Sequence, residues 1–263
     1  MVVVCIGVVL SAFGGKGAPL FTENFGSLAD GTAITVNNTS LTYARVGTGT
    51  GAFLNARDPG GFSGASAWML ATSSSLTGLG VLNGTFAPFD VGTFSFSFHT
   101  PSSFSTANEL FAFVGSGNMF SGNSVFNGSD VTAGFLILGG QLETRNSQNA
   151  WENVGSPLSP DTSYDLSIIF NGSDSTVTYG SDSVAGGKAD VWLNGALWGD
   201  EVSIRDAVSV SAFRLYCQGT ASGTGYEIDN IGLDNSVPTV PEPSAFALVA
   251  GLFLGIAVVF RKR

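Results

Sequence analysis

The chain has 263 residues, including 36 glycines and 21 phenylalanines, and only 11% of its residues are charged. This apolar, aromatic composition excludes intrinsic disorder, which requires low hydrophobicity and dense charge. The net charge of −10 argues against a nucleic-acid partner, because a polyanion is bound by a surplus of basic side chains. Few charges together with many small polar residues favour a β-rich, exported protein.

The first predicted element is a signal peptide at residues 1–17. Residues 2–13 form an apolar run with the length of a signal-peptide core, and the small residues Gly14, Gly15 and Gly17 follow as a cleavage region. No basic residue precedes the core, and a buried β-strand is the alternative interpretation. Once residues 1–17 and 241–263 are set aside, six basic and nineteen acidic residues remain, so the body is more acidic than the whole chain.

Residues 18–235 are predicted to form one all-β domain, because no stretch shows sustained helical periodicity. In residues 93–99 (TFSFSFH), three Phe side chains alternate with Ser, Ser and His, which predicts a strand with one apolar face. Asn194-Gly195 is the clearest of four Asn-Gly pairs that predict tight turns. The pattern predicts a sandwich of two antiparallel sheets. Further predicted strands cover 109–114, 133–138, 164–170, 190–193, 208–217 and 226–233.

Three short motifs, in this order, resemble a concanavalin A/laminin G-like jelly roll. Residues 21–25 (FTENF) open the body, residues 191–198 (VWLNGALW) come late, and residues 226–231 (YEIDNI) close it. The resemblance implies that the first and last strands pair. It also implies a fold that often binds glycans and sometimes holds a structural Ca²⁺, although fold likeness alone does not establish function.

Two sets of residues are candidates for binding. If the first and last strands pair, Glu23 approaches Asp229, and carboxylates near strand ends supply the oxygen ligands that Ca²⁺ prefers. The alternative is that both side chains are solvated. Trp151, Trp192 and Trp198 lie in polar or turn-rich contexts and are candidates for stacking on sugar rings, although a core or half-buried position is expected for each.

One tripeptide resembles a catalytic motif. Some jelly-roll glycoside hydrolases carry Glu-Ile-Asp followed by a second glutamate on the same strand face. Here Glu-Ile-Asp occupies 227–229, but Ile231 and Gly232 stand where the second glutamate belongs. We therefore predict no catalytic residue and interpret the tripeptide as the edge of the closing strand. The lone mature cysteine, Cys217, is expected in the core, and His99 on the polar face of its strand.

The chain ends in a linker over residues 236–243 and a predicted transmembrane helix with a basic tail over 244–263. Residues 244–260 carry no charge and span about 25 Å at 1.5 Å per residue, the short end of what crosses a bilayer. The positive-inside rule places the final Arg261, Lys262 and Arg263 in the cytoplasm. The body would then lie outside the inner membrane.

This end of the chain resembles the PEP-CTERM sorting signal of Gram-negative bacteria. The matching residues are Pro241, Glu242 and Pro243, followed by the apolar helix and the basic cluster. The resemblance implies that an exosortase, a membrane cysteine protease, cuts the tail and releases the body to the outer surface or the extracellular matrix. Two prolines keep the segment extended, as a protease requires. An ordinary membrane anchor with a chance Pro-Glu-Pro linker is the alternative.

Taken together, these patterns predict an all-β, two-sheet antiparallel sandwich followed by a single C-terminal transmembrane helix. The expected protein is an exported, non-catalytic adhesive or polysaccharide-associated module that the inner membrane holds transiently. Two alternatives remain at this stage. One is a glycoside hydrolase or lyase on the same fold, and the other is a structural surface protein without a ligand.

Overall fold

The structure is a computed structural model that describes residues 19–46, 52–58, 60–71, 76–81, 85–104, 108–116, 130–219 and 225–237. The predicted signal peptide, the Pro-Glu-Pro motif and the predicted transmembrane helix lie outside these ranges. Within them, no helix has the length and apolar character needed to cross a membrane.

The described residues form seventeen β-strands. In chain order these are β1 Phe21–Glu23, β2 Tyr43–Arg45, β3 Phe53–Arg57, β4 Ser66–Leu70, β5 Leu76–Val81, β6 Val91–His99, β7 Asn108–Gly115, β8 Val131–Leu138, β9 Gln141–Arg145, β10 Trp151–Asn153, β11 Ser163–Asn171, β12 Val177–Tyr179, β13 Asp182–Val184, β14 Lys188–Leu193, β15 Ala196–Ser203, β16 Ala212–Gly219 and β17 Tyr226–Asp234.

The strands build two large antiparallel sheets, which confirms the predicted sandwich. The eight-stranded sheet has the order β15-β14-β11-β6-β17-β4-β3, and β1 pairs with β17 beside this path. The seven-stranded sheet has the order β10-β9-β8-β7-β16-β5-β2, and β12 and β13 form a separate hairpin. The first and last strands pair as expected, with Glu23 opposite Ile231.

Alternating side chains fill the core between the two sheets. Phe94, Phe96 and Phe98 of β6 point inward, as the sequence pattern predicted, and are buried with residues of the opposite sheet. The ring of Phe94 lies 5.2 Å from that of Phe213 on β16. Cys217 belongs to the same core at 4% exposure, and its burial raises the pKa of the thiol to about 12. This agrees with the expected structural role for the cysteine.

The structure corrects two details of the predicted strands. The tripeptide 227–229 was interpreted as the edge of the closing strand and not as part of a central strand, but β17, which contains it, lies inside its sheet between β6 and β4. Sheets are ordered by pairing rather than by chain position, so a closing strand can be central. The predicted strand 208–217 begins only at Ala212, because Val210 makes just an isolated bridge to Phe89. The predicted hairpin at Asn194-Gly195 is confirmed, since both residues have positive φ between β14 and β15.

Each large sheet also has an outer face, directed away from the shared core. We call the outer face of the eight-stranded sheet the polar face, because β6 presents Ser95, Ser97 and His99 there. We call the outer face of the seven-stranded sheet the aromatic face, because Phe111, Phe113 and Tyr216 form a separate cluster on it. The candidate binding and catalytic residues divide between these two faces.

Candidate functional site

The polar face carries a row of functional side chains across four strands. Cross-strand pairing places Trp68 beside Glu227, Glu227 beside His99, and His99 beside Ser163. Paired residues on neighbouring strands point to the same face, so these side chains share one surface. Trp68, Glu227 and His99 border a cleft of about 380 Å³, to which Arg57 also contributes.

Glu227, in the tripeptide that resembled a hydrolase motif, is fully engaged in holding a loop. Its Oε1 accepts a hydrogen bond of 2.7 Å from Arg57, and its Oε2 accepts one of 2.6 Å from the backbone N–H of Gly61. Ser66 donates a further bond of 3.3 Å to Oε2. Only 6% of the Glu227 side chain is exposed. A buried carboxylate with three donors is a structural group.

His99, Ser163 and Asp161 approach one another in the order of a catalytic triad. His99 Nδ1 lies 2.9 Å from Ser163 Oγ, and His99 Nε2 lies 3.3 Å from Asp161 Oδ1. The Ser163 hydroxyl, however, donates its proton to the carbonyl oxygen of Gly61 at 2.8 Å. A nucleophilic serine must instead give that proton to the histidine. The arrangement therefore holds the loop rather than activating a nucleophile.

A larger cleft of about 1020 Å³ lies farther along the polar face. Side-chain hydroxyls and amides dominate its walls, and Glu23 and Asp234 are the charged residues among those that line it. The polar lining includes Asn24, Asn37, Asn38, Thr93, Ser95, Ser167 and Asn230.

Of the two predicted Ca²⁺ ligands, Asp229 is buried in β17, and Glu23 ends β1 and lines the larger cleft. Burial raises the pKa of Asp229 to about 6, and the negative charge of Glu23 adds to the effect. Glu23 accepts backbone N–H bonds from Phe25 at 2.9 Å and from Ser40 at 2.6 Å. Asp229 is only 8% exposed, and its buried Oδ1 has no hydrogen-bond partner among the described residues.

The unpartnered carboxylate oxygen of Asp229 is the feature that favours a cation here. An orphaned, buried carboxylate oxygen is an arrangement that a bound cation would stabilise. No group of three or more His, Cys, Asp or Glu residues in the described ranges converges as a metal site. Because Ca²⁺ takes six to eight oxygen ligands, backbone carbonyl groups and water would have to supply the rest.

The aromatic face combines stacked rings with arginine side chains. Tyr216 stacks on Phe111 with ring centroids 4.6 Å apart, and on Phe113 at 5.7 Å. Trp151 packs 5.9 Å from Phe111 at the edge of this cluster, and the guanidinium of Arg145 lies 4.9 Å above the Trp151 ring. The centre of the face is buried, whereas Trp151 and Arg145 are half-exposed.

Toward one end the aromatic face becomes polar and half-exposed. Register places Gln218, Glu109, Leu138 and Gln141 in one row across β16, β7, β8 and β9. Glu143 lies in the next row, opposite Leu136. Burial raises the pKa of Glu109 above its usual value, and the charge of Glu143 raises it further. Burial alone raises the pKa of Glu143.

The three predicted ligand-binding tryptophans do not converge. Trp151 is on the aromatic face. Trp192 lies on β14, and its indole N–H donates to the Tyr179 hydroxyl at 3.2 Å beside the β12–β13 hairpin. Trp198, on the edge strand β15, packs against the main core. Each is half-buried, as expected.

Sequence reasoning missed Trp68, Glu109 and Glu143. The run Ala67-Trp68-Met69 looked uniformly apolar, yet Ala67 and Met69 point into the core and Trp68 points outward. In β7, Phe111 and Phe113 alternate with inward-facing apolar residues, so the strand is apolar on both faces. That two-sided pattern was the available signal for a second packed surface outside the core.

Comparison with solved structures supports the fold. An endo-β-1,4-glucuronan lyase from the fungus Trichoderma reesei is 11% identical, with a TM-score of 0.53, over 85% of this chain and 98% of that one. A Bacillus subtilis protein of unknown function with a galectin-like fold is 10% identical, with a TM-score of 0.51, over 85% and 98%. The binding domain of botulinum neurotoxin serotype G is 10% identical, with a TM-score of 0.52, over 89% of this chain and 51% of that one.

These likenesses extend to the fold and not to a shared activity, because the sequence identities are so low. No protein-family model and no curated protein sequence matches the chain. The similarity to a galectin-like protein confirms the expected two-sheet sandwich.

Proposed function

We propose that this is an exported envelope or matrix protein whose sandwich associates with extracellular polysaccharide through the aromatic face. One observation carries the proposal: Trp151, Arg145, Glu109 and Glu143 are half-exposed together on one sheet face. Sugars are bound by aromatic surfaces combined with a few hydrogen-bonding side chains, and this face offers both. Adhesion of this kind requires no chemical reaction.

The polar face is the weaker candidate for a sugar because the carboxylates around its smaller cleft and on β11 are already bonded. Glu227 binds Arg57 and a loop, and Asp165 accepts a bond of 2.6 Å from Ser97. A ligand there would have to replace bonds that the protein already makes. We assign this face a structural role, with a Ca²⁺ ion held at Asp229 and Glu23.

For delivery to the cell surface, we propose the sorting route implied by the chain's last residues. An exosortase would recognise Pro241-Glu242-Pro243 while the apolar helix and Arg261, Lys262 and Arg263 hold the precursor in the inner membrane of a Gram-negative cell. Mass spectrometry of the mature protein tests this route. A C-terminus near residue 243 supports it, and an intact tail in all mature material contradicts it.

A glycan array followed by titration calorimetry on the best ligand tests the binding proposal. We expect Trp151→Ala to weaken binding by about tenfold or more, since stacking and its supported polar contacts contribute roughly 1–3 kcal/mol. Trp68→Ala is the matched control, because Trp68 is a half-buried tryptophan on the opposite face. Loss of binding in Trp68→Ala alone would move the ligand to the polar face and contradict the proposal.

A further inference from the structure

Two arginine side chains meet at the edge of the aromatic face, where β9 ends. Arg145 is the last residue of β9, and its Nε donates a hydrogen bond of 2.6 Å to the side-chain oxygen of Asn149. Arg205 follows β15 of the other large sheet, and its guanidinium donates to the same Asn149 oxygen. Both guanidinium groups therefore lie within hydrogen-bond distance of one atom. Arg145 and Arg205 are half-exposed, and Asn149 is exposed.

The backbone around these side chains is fixed by hydrogen bonds. Asn149 lies in the tight turn between β9 and β10, where its N–H donates a bond of 3.0 Å to the carbonyl oxygen of Asn146. Its φ of 67° is in the left-handed region, which asparagine tolerates. The N–H of Arg205 donates a bond of 2.9 Å to the carbonyl oxygen of Thr132 on β8. The fold therefore brings the two arginines together from separate sheets.

The acceptor that the two guanidinium groups share carries no charge. Asn149 offers a neutral amide oxygen, which does not offset the repulsion between two cations. Burial lowers the pKa of the Arg145 guanidinium, and the charge of Arg205 lowers it further. A carboxylate is the acceptor whose negative charge and planar geometry match guanidinium groups. A carboxylate supplied by a ligand would therefore be stabilised between Arg145 and Arg205.

Trp151 lies beside the two arginines at a distance that suits an acidic sugar. It pairs with Arg145 across β9 and β10, and the central guanidinium carbon of Arg145 is 4.9 Å from the centroid of the Trp151 ring. In a uronic acid residue the carboxylate is bonded directly to the sugar ring. One such residue can therefore contact Trp151 through its ring while its carboxylate reaches the guanidinium groups.

The strands of the seven-stranded sheet are not acidic, in contrast to the body as a whole. They carry three arginines and three glutamates, whereas the strands of the eight-stranded sheet carry two basic and eight acidic residues. At physiological ionic strength, exposed charges are screened from one another beyond about 8 Å. The negative charge of the chain therefore does not exclude a carboxylate at Arg145. Glu143, which is about 7 Å away along β9, opposes a dense polyanion more than a single carboxylate.

We propose that Arg145 and Arg205 bind the carboxylate of a uronic acid residue, so that the polysaccharide recognised by the aromatic face is an acidic one. This inference rests on the proposed function for the binding surface and adds the class of sugar. The ligand carboxylate would replace the exposed Asn149 side chain between the guanidinium groups, and the sugar ring would lie against Trp151.

Titration calorimetry with polymers that differ only in their carboxylates tests this inference. The polymers are polygalacturonate, alginate and hyaluronan, each compared with its neutral, carboxyl-reduced form. EGTA is present throughout, so that Ca²⁺ cannot bridge the polymer to the acidic polar face. We expect the intact protein to bind at least one acidic polymer about tenfold more tightly than its reduced form. Equal affinity for the acidic and reduced forms of every polymer would overturn the inference.

Substitutions of single arginines separate a carboxylate site from general electrostatic attraction. Arg145→Gln and Arg205→Gln should each weaken binding of the acidic polymer by about tenfold, because each removes a charge-assisted hydrogen bond. Arg45→Gln is the matched control and should keep the affinity of wild type. Arg45 is a half-exposed arginine on β2, the opposite edge strand of the same sheet, and its loss changes the net charge equally. Wild-type affinity in both Arg145→Gln and Arg205→Gln, or an equal loss in Arg45→Gln, would contradict the site.

Asn149→Asp tests the same site in a variant that should be more stable than wild type. The new carboxylate would occupy the position proposed for that of the ligand. We expect the melting temperature to rise by about 2 °C and the affinity for the acidic polymer to fall by about tenfold. Wild-type affinity in this variant would overturn the inference. Binding of neutral glycans alone also defeats it but leaves the proposed function standing, whereas failure to bind any glycan defeats the proposed function itself.

Discussion

The two outer faces of the sandwich use their carboxylates in opposite ways. On the polar face, Glu227 accepts bonds from a guanidinium, a backbone N–H and a hydroxyl. On the aromatic face, Glu109 and Glu143 accept none from the described residues, although both are half-exposed on a regular strand. A satisfied carboxylate contributes to the fold and an unsatisfied one is available to a ligand. Hydrogen bonding therefore separates the two faces better than the number of acidic residues does.

The largest expected effect is the loss of stability that follows from removing the Glu227 carboxylate. Glu227→Ala leaves the Gly61 N–H and the Arg57 guanidinium without their acceptor, so we expect stability to fall by about 3 kcal/mol in urea unfolding. Glu227→Gln keeps an acceptor and should lose less. Glu109→Ala should change stability by no more than about 0.5 kcal/mol, because it breaks no bond. Equal losses in the Glu227 and Glu109 variants would erase the distinction between the faces.

The second prediction concerns Ca²⁺ at Asp229. A cation that binds the folded protein alone stabilises it by mass action, by about 2.7 kcal/mol at a hundred times the dissociation constant. We expect Ca²⁺ to raise the melting temperature at pH 7 and EGTA to reverse the rise. Asp229→Asn should abolish the response, whereas Asp165→Asn, which changes another carboxylate of the same face, should keep it. An unchanged response in Asp229→Asn would remove this residue from the cation site.

The third prediction is a pH dependence without Ca²⁺. The folded pKa of Asp229 is about 6, above the roughly 3.9 of an unfolded aspartate. The folded state therefore binds the proton of the Asp229 carboxyl more tightly than the unfolded state does. The contribution of this group to the free energy of unfolding is complete below pH 4 and is lost as the pH rises through 6. We expect wild type to lose about 1–2 kcal/mol over this interval relative to Asp229→Asn, which carries no charge there. Parallel stability curves for the two proteins would contradict the raised pKa.

The contrast between the faces also shows how far the sequence could lead. Alternation in residues 93–99 predicted both the strand and the inward Phe side chains, because this signal is local. The Asn194-Gly195 hairpin was predictable for the same reason. The placement of Glu109 and Glu143 in neighbouring rows of one sheet face depends on the register of β7, β8 and β9, which long-range pairing sets. Long-range pairing also sets the central position of β17. Local sequence patterns carry no information about it, so they suggested an edge position for the tripeptide 227–229.

The smallest expected effect comes from removing the Tyr216 hydroxyl, and its sign is informative. In the free protein the buried oxygen has no partner among the described residues, so Tyr216→Phe should raise stability by about 1 kcal/mol. The ring contacts with Phe111 and Phe113 remain, because phenylalanine keeps the aromatic ring. Tyr179→Phe is the control for sign. Its hydroxyl donates to Asp190 and accepts from Trp192 on the polar face, so removing it should destabilise the fold. A destabilised Tyr216→Phe would instead make this hydroxyl a structural group, like the carboxylate of Glu227.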